Sequence, residues 1–338
     1  MPPHNPPTLV PSLQALRLLA ALSVVYLHTG AAPRFGSFGV DIFFVISGYV
    51  MAYLSLRQPT AGMFARQRIA RIVPLYWLVT TALMGLAMWH PEWMHATRAD
   101  WGQYLQSLLF IPYFKEPGVL HPMLVVGWTL NYEAFFYACM ALSLAVVPRH
   151  PLWATAALVA VAHWVLGQGD TQTEVAANFF GNPAILEFLL GMGLFAVVQH
   201  TRHWRLPGPL ALGVAVLAYG FMAASESRQL DGLYLLVYGL PATLVVWGTV
   251  QADAWLQDAL GTGMGWLSLG GDASYALYLS HYFVVEAVKK ITPRLGTDWG
   301  PQNFWPSTLL TLALALAVGL VIYRLVDKPL HQGLRGRF

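Results

Sequence analysis

The chain has 338 residues, of which 57% are hydrophobic and only 10% are charged. Because a soluble globular domain carries about 25% charged residues, this composition excludes that class and indicates an integral membrane protein. The net charge of +3 does not indicate a nucleic-acid partner, and the single cysteine, Cys139, excludes an internal disulfide and a cysteine metal cluster.

Ten apolar runs are long enough to cross about 30 Å of hydrocarbon. They predict an all-α fold, a polytopic membrane helical bundle of about ten transmembrane helices. We expect a single transmembrane domain over 13–326, flanked by tails at 1–12 and 327–338. The predicted spans lie near 13–30, 37–56, 69–89, 124–147, 151–168, 182–199, 207–224, 231–250, 266–287 and 304–326.

The distribution of lysine and arginine between the predicted spans indicates the orientation. If the N-terminus is cytoplasmic, eleven of these residues lie on the inner side and seven on the outer side. Positive charge is enriched in cytoplasmic loops. We therefore expect both termini, and so both tails, to be cytoplasmic.

The first span contains two ionisable residues, Arg17 and His28. Eleven residues of helix return to within about 20° of the same direction, so both side chains share one face, roughly 16 Å apart. Ionisable groups at membrane depth are costly and mark a functional site by default. The pair therefore predicts a polar chamber inside the bilayer.

The second and third spans add an acidic and a basic element. Asp41 lies near the outer end of the second span, in FGVDIFFVISGY. Arg68 and Arg71, in RIARIVPLYW at the inner end of the third span, are three residues apart and share a helix face. Guanidinium groups bind phosphate bidentately, so these two and Arg17 indicate an anionic ligand arriving from the cytoplasm. The alternative is that Arg68 and Arg71 only supply positive-inside charge.

The segment 90–123, between the third and fourth predicted spans, is rich in tryptophan, tyrosine and proline and carries few charges. Aromatic residues are enriched where membrane meets water. We predict an interfacial or re-entrant cap on the outer side of the bundle.

The fourth and ninth spans carry Glu133, in WTLNYEAFFY, and His281, in SYALYLSHYF. By depth, both histidines and the carboxylates Asp41 and Glu133 lie in the outer half of the bundle. Neutral imidazole can take the proton of an attacking hydroxyl, and a carboxylate can fix its tautomer, so this set suits acyl transfer. Histidines that only bond a neighbouring carbonyl are the alternative. No HxxH-type spacing is present, so we predict no metal site.

Two short motifs have structural interpretations. Gly270-Gly271 predicts a hinge at the start of the ninth span. Asp327-Lys328-Pro329 predicts the end of the last helix, because proline disfavours helix in the residue before it.

Taken together, the five blocks resemble the acyltransferase-3 family of bacterial membrane acyltransferases. They are the Arg17…His28 pair, FGVDIFFVISGY, RIARIVPLYW, WTLNYEAFFY and SYALYLSHYF, and they occur in family order over nearly the whole chain. The overall pattern is most similar to O-acetyltransferases of exopolysaccharide and other surface glycans. One departure is Asn131-Tyr132-Glu133, where many members have serine before the acid.

The resemblance implies an enzyme of the bacterial inner membrane that takes an acyl group from cytoplasmic acyl-CoA, with acetyl-CoA as the expected donor. It implies transfer to a hydroxyl of a glycan or lipid-linked glycan, in contact with membrane lipid and alongside polysaccharide-synthesis proteins.

By residue, the resemblance assigns Arg17 and His28 to the essential pair, and it assigns Arg68 and Arg71 to the CoA end. Glu133 matches the acid of the family's fourth block. We expect His28 to act as general base or transient acyl carrier. Asp41 or Glu133 would orient it, and His281 would help to position the acceptor.

Two other classes of protein stay open on the sequence alone. A transporter of acyl groups or of a lipid-linked sugar also needs charges at mid-membrane depth. A non-catalytic scaffold of a polysaccharide export complex is the third. Consumption of the thioester separates the enzyme from both.

Overall fold

A computed structural model of the protein describes residues 10–31, 33, 35–57, 60–93, 97–201, 203–226, 232–292 and 304–335. Most of the predicted N-terminal tail 1–12 and the last three residues of the predicted C-terminal tail 327–338 lie outside the described residues. The α-helices are α1 (Pro11–Thr29), α2 (Gly39–Ser55), α3 (Ala61–Trp89), α4 (Trp101–Leu108), α5 (Trp128–Val146), α6 (Pro151–Val161), α7 (Val175–Gly181), α8 (Glu187–His200), α9 (Gly208–Ser225), α10 (Leu240–Gln251), α11 (Asp253–Leu260), α12 (Thr262–Asp272), α13 (Ser274–Ile291), α14 (Phe304–Ile322) and α15 (Lys328–Arg335).

Shorter segments extend several of these helices. π-Helical turns follow α6, precede α10 and join α14 to α15, and 3-10 turns precede α5 and α8. The two strands of the described chain, β1 (Phe114–Glu116) and β2 (Val119–Leu120), form an antiparallel hairpin. The predicted all-α class is confirmed, because this hairpin is the only sheet in the described residues.

The predicted number of spans, about ten, is not confirmed. Six described helical stretches are long and apolar enough to cross a membrane, and the bent pair 235–251 and 253–260 makes a seventh if it counts as one span. The second and fifth predicted spans form shorter apolar helices, Gly39–Ser55 and Pro151–Leu166. The ninth predicted span, 266–287, is divided between α12 and α13 at Ala273.

The end of the last helix differs from the prediction. Instead of stopping at Asp327, the helix continues through the π turn Tyr323–Asp327 into α15. Pro329 is the second residue of α15, and proline is tolerated in the first turn of a helix. The π turn changes the hydrogen-bonding register just before the proline. The first part of the predicted tail 327–338 is therefore helical as far as Arg335.

Helix α1 lies at the centre of the bundle and contacts α2, α10, α11, α12, α13 and α14. Its polar side chains reach other helices: Gln14 Nε2 donates to Asp272 Oδ1 at 2.9 Å, and Ser23 Oγ lies 2.6 Å from the Tyr219 hydroxyl oxygen. In contrast, only 17% of the most apolar window of α14–α15 is buried. The polar side chains of α1 are thus enclosed by neighbouring helices, whereas the more apolar α14 lies at the exposed surface of the bundle.

The glycine pair at the start of the ninth predicted span allows close packing of α12 on α1. A Cβ atom on Gly271 would lie 2.0 Å from the backbone oxygen of Gln14, and one on Gly270 would lie 2.5 Å from a methyl carbon of Leu18. Small residues let membrane helices approach closely. The motif predicted as a hinge is therefore a contact surface between two helices.

The predicted outer cap contains α4 and the β1–β2 hairpin. Trp77 Nε1 on α3 donates to the Leu108 oxygen at 2.8 Å, and the ring of Phe110 stacks on that of Tyr76 with centroids 5.0 Å apart. Ser107 Oγ accepts the backbone N–H of Met123 at 2.9 Å. The first two contacts hold the described part of the segment against α3, and the third ties α4 to the end of the segment.

The α2–α8 contact is among the most extensive helix pairs, and it depends on glycine. A Cβ atom on Gly48 would lie 2.0 Å from the Phe188 backbone oxygen, and one on Gly191 would lie 2.0 Å from the Val45 backbone oxygen. No side-chain rotation can relieve either clash, because the opposing atoms are backbone. The two helices are therefore held at a distance that only glycine permits at both positions.

We predict that Gly191→Ala destabilises the bundle by about 1–3 kcal/mol, since α2 and α8 must move apart. Gly193 is the matched control: it lies in the same helix, and a Cβ atom there would meet nothing within 4 Å. Thermal unfolding in detergent should show a lower midpoint for Gly191→Ala and an unchanged or higher one for Gly193→Ala. Equal midpoints for the two variants would contradict the packing argument.

Candidate active site

A cavity of about 130 Å³ lies between α1, α2, α3, α5 and α13. Its charged lining residues are Arg17, Arg68, Arg71 and Glu133. The remainder of its wall is mainly apolar and aromatic. The fold thus brings together the three arginines that the sequence analysis assigned to an anionic ligand.

Two of these arginines have no internal acceptor. Neither Arg17 nor Arg68 forms an ion pair or a hydrogen bond with the part of the chain that the structure describes. Nε of Arg68 is buried without a partner, and its guanidinium carbon lies 6.0 Å from the centroid of the Tyr137 ring. Glu133 is the one carboxylate of the described chain that lines the same cavity, and its charge interacts with that of Arg17. Because uncompensated charge is costly away from water, the excess of positive charge on Arg17 and Arg68 points to an anionic ligand.

Arg71 differs from the other two because it has an internal partner. Its Nη1 donates to Asp327 Oδ2 at 2.8 Å, and its guanidinium carbon lies 5.4 Å from the centroid of the Tyr275 ring. The side chain of Asp327 is only 4% exposed and that of Arg71 is 22% exposed. Arg71 therefore ties α3 to the last helix, in addition to lining the cavity.

We predict that Asp327→Asn and Arg71→Gln each destabilise the protein by about 3 kcal/mol, because each leaves one largely buried charge without its partner. Arg68→Gln should leave the thermal midpoint unchanged or raise it, since Arg68 has no such partner. Thermal unfolding of the three variants in detergent checks this. A loss of stability in Arg68→Gln as large as that in Arg71→Gln would refute the distinction.

Glu133 lies in this cavity and not beside either histidine. It accepts hydrogen bonds from Ser47 Oγ at 3.2 Å and from the Tyr137 hydroxyl. Tyr137 is one helical turn further along α5, so the same helix positions the carboxylate and one of its donors. The expectation that Glu133 orients His28 does not match these contacts.

His28 and His281, which the sequence places in different spans, are in contact. Nδ1 of His28 lies 3.4 Å from Nε2 of His281, and the ring centroids are 5.0 Å apart. His281 is fully buried, whereas His28 is partly exposed. Lys289 Nζ donates to the backbone oxygen of His28 at 3.0 Å and so fixes the end of α1 against α13.

Backbone carbonyls determine the tautomers of the pair. Nδ1 of His28 lies 2.8 Å from the Val24 oxygen, and Nδ1 of His281 lies 2.6 Å from the Tyr278 oxygen. A carbonyl oxygen can only accept, so we assign the proton of each neutral ring to Nδ1. Nε2 of His28 is then a lone-pair acceptor, and it has no hydrogen-bond partner among the described residues.

Asp41 belongs to a third group, which is separate from the histidines. It accepts a hydrogen bond from the Tyr234 hydroxyl, and its carboxyl group lies against that of Glu187. Both carboxyl groups are buried, and neither oxygen of Glu187 has any other partner in the described chain. Two carboxyl groups this close together and away from water cannot both be ionised without a large cost.

The expectation that Asp41 or Glu133 orients His28 is therefore corrected by the structure. Asp41 packs towards α8 and Tyr234, and Glu133 faces the arginines. Nδ1 of His28 contacts the Val24 oxygen and His281 instead. The expected position of Glu133 beside the histidines is not found, because Glu133 lines the same cavity as the three arginines. Rotation about the helix axis, which the sequence does not give, turns Asp41 towards Tyr234.

Tyr278 separates the cavity from the histidine pair. Its side chain lines the cavity, and its hydroxyl lies 3.0 Å from both Thr129 Oγ1 and the Val126 oxygen. Its ring centroid lies 5.8 Å from that of His281. Tyr278 therefore borders both the arginine-lined cavity and His281.

Several residues of the site were not singled out from the sequence. The sequence signal for Tyr278 was present, because it lies one helical turn before His281 in SYALYLSHYF. Tyr137 had the same relation to Glu133, but tyrosines are common in apolar spans. Among the described residues, no group of three or more His, Cys, Asp or Glu is placed to hold a metal ion.

Comparison with known proteins gives a consistent result. A family model described as an acyltransferase domain matches residues 10–324. The exopolysaccharide production protein ExoZ of Rhizobium meliloti (strain 1021) is 32% identical, over 91% of this chain and 93% of that protein. The acyltransferase MdmB of Streptomyces mycarofaciens is 27% identical, over 96% of this chain and 92% of that protein.

A more distant relative is longer. The peptidoglycan O-acetyltransferase OatA of Listeria monocytogenes is 23% identical over 96% of this chain, but this alignment covers only 56% of that protein. No solved structure matches the chain.

Proposed function

The chain belongs to the acyltransferase-3 family and is a multi-pass membrane acyltransferase, and on that premise we propose that it moves an acetyl group from cytoplasmic acetyl-CoA to a hydroxyl of an exported or cell-surface glycan. The names of two relatives support a glycan acceptor, since one refers to exopolysaccharide production and the other to peptidoglycan O-acetylation. We propose the bacterial inner membrane as its location, with both termini and the Arg17 end of α1 facing the cytoplasm.

One observation carries the proposal. Three arginines share a cavity with a single carboxylate, that of Glu133, and neither Arg17 nor Arg68 forms an ion pair with the described chain. His28 has a ring nitrogen without a hydrogen-bond partner in that part of the chain. The first arrangement suits a phosphate-bearing donor, and the second suits a hydroxyl acceptor. We propose that donor and acceptor approach from opposite faces of the membrane.

The size of the cavity limits how much of the donor it admits. At about 130 Å³ it is smaller than the roughly 300–1,000 Å³ of pockets for drug-sized ligands. We therefore propose that only the slender pantetheine arm enters the cavity and that the nucleotide stays outside it. We propose that Arg17 and Arg68 bind the phosphates next to the arm while the thioester extends towards Tyr278.

His28 acts in this proposal as the general base. Its Nε2 takes the proton of the acceptor hydroxyl while the hydroxyl oxygen bonds to the thioester carbonyl carbon. The carbon–sulfur bond breaks, and His28 returns the proton to the leaving thiolate, so that an O-acetyl glycan and free CoA form. Exclusion of water by the surrounding aromatic side chains protects the thioester from hydrolysis.

We predict that His28→Ala lowers acetyl transfer by about 10²–10⁴-fold, the range for loss of a general base. The measurement is CoA release and acetyl incorporation by protein in nanodiscs, with acetyl-CoA and a surface-polysaccharide acceptor. His200→Ala is the matched control, because His200 is exposed at the end of α8, away from the cavity.

The other outcomes discriminate between the alternatives. Equal CoA release by wild type and a folded His28→Ala variant removes His28 from the mechanism. If the wild type binds acetyl-CoA but leaves it intact with every acceptor, a transporter replaces the enzyme.

A second prediction concerns the donor. Arg68→Gln should raise the KM for acetyl-CoA by about 10- to 100-fold, the value of a hydrogen bond to a charged group. With S-acetylpantetheine, which has no phosphate, the same substitution should change KM little. A similar rise with both donors would show that Arg68 does not act on the phosphates.

A further inference from the structure

We propose that His281 positions His28 and stabilises its protonated form, in the role that a carboxylate plays in a Ser-His-Asp arrangement. This inference rests on the proposed function, because it assumes that His28 takes a proton. It assigns the orienting role to a neutral imidazole rather than to Asp41 or Glu133. His281 is a positioning residue in this scheme and does not contact the substrate.

The surroundings of His281 leave it only one direction in which to act. Its ring is fully buried, and Nδ1 is already bound to the Tyr278 oxygen at 2.6 Å. Nε2 is its remaining polar atom, and the neighbour within hydrogen-bond distance is Nδ1 of His28 at 3.4 Å. With the proton of His281 on Nδ1, its Nε2 presents a lone pair to His28.

The chemistry of His28 makes use of that lone pair. In the resting state, the Nδ1 proton of His28 is directed to the Val24 oxygen at 2.8 Å and is shared in part with His281 Nε2. When Nε2 of His28 accepts the hydroxyl proton, the imidazolium charge strengthens both contacts. Both acceptors are in place beforehand, so the protonated intermediate is stabilised without rearrangement.

No carboxylate competes for this role in the described surroundings. The nearest charged groups belong to Lys289 and Glu286, and Lys289 Nζ is bound to the His28 backbone oxygen and to Glu286 Oε1. Tyr282 approaches the His28 ring edge-on, with centroids 6.2 Å apart. The acceptors for the His28 ring proton are thus the Val24 carbonyl and His281.

Two amide substitutions at position 281 separate the two contacts. The amide of His281→Asn can bond the Tyr278 oxygen but is one methylene short of His28. The longer side chain of His281→Gln places an amide oxygen near the position of Nε2, where it can accept from His28. Both variants are neutral and polar, so the comparison controls for burial and for loss of the ring.

We expect His281→Asn to lower kcat by about 10- to 100-fold with an unchanged KM for acetyl-CoA, and His281→Gln to retain most of the activity. In a His28→Ala background, His281→Asn should cause no further loss, because it acts through His28. A kcat for His281→Asn equal to that of His281→Gln, or a full additional loss in the His28→Ala background, would overturn the inference.

A measurement on the wild type applies even if the variants fold poorly. Nitrogen-15 NMR of histidine-labelled protein should show His281 protonated at Nδ1 and unprotonated at Nε2, with His28 protonated at Nδ1. A protonated Nε2 on His281 refutes the proposal while leaving His28 as base intact. If His28→Ala releases CoA as fast as wild type, the proposed function itself fails, whatever the result at position 281.

Discussion

The structure depends on a single constraint, which is the burial of a polar helix at the centre of an apolar bundle. Helix α1 carries Arg17, His28 and several smaller polar groups, yet α2 and each of α9–α14 contact it. Each unsatisfied polar group costs several kcal/mol away from water. The side chains of Gln14 and Ser23 meet this constraint by bonding other helices, and Arg17 meets it by facing a cavity.

Close helix packing is the second consequence of the same constraint. Glycines on α12 let it approach the backbone of α1, and glycines on α2 and α8 let those two helices lock together. Only with this spacing do side chains from α1, α3, α5 and α13 converge on one cavity. The position of the site is therefore determined partly by residues that have no side chain.

The sequence allowed the helical class and, to within a few residues, the bounds of α1 and α5 to be predicted, because hydropathy acts locally. It also identified Arg17 and His28 as ionisable residues of one helix. What could not be read was rotation: a helix turns 100° per residue, and only packing decides which side meets which neighbour. Asp41 consequently faces Glu187 instead of His28.

The points at which helices are interrupted or continue were the other feature that could not be predicted from the sequence. The run 266–287 is predicted as one span, although Gly270-Gly271-Asp272 stands directly before the junction of α12 and α13 at Ala273. Conversely, Pro329 predicted the end of the last helix, but the helix continues through the preceding π turn into α15. Both errors arise because backbone hydrogen bonding, which defines where a helix begins and ends, is only weakly coupled to hydropathy.

The distribution of charge across Tyr278 gives a physical reason for a histidine partner. On the arginine side, an anionic donor would bring charge that Glu133 alone does not supply to Arg17 and Arg68. On the histidine side, Lys289 is already bound to Glu286 and to the His28 backbone oxygen. A buried carboxylate there would therefore gain no further counter-charge until His28 was protonated. A second imidazole avoids that cost, since His281 is neutral and its Nδ1 proton is already bound by the Tyr278 oxygen. The same cost of an unpaired buried charge applies to Asp41 and Glu187, which lie together away from water and cannot both be ionised cheaply.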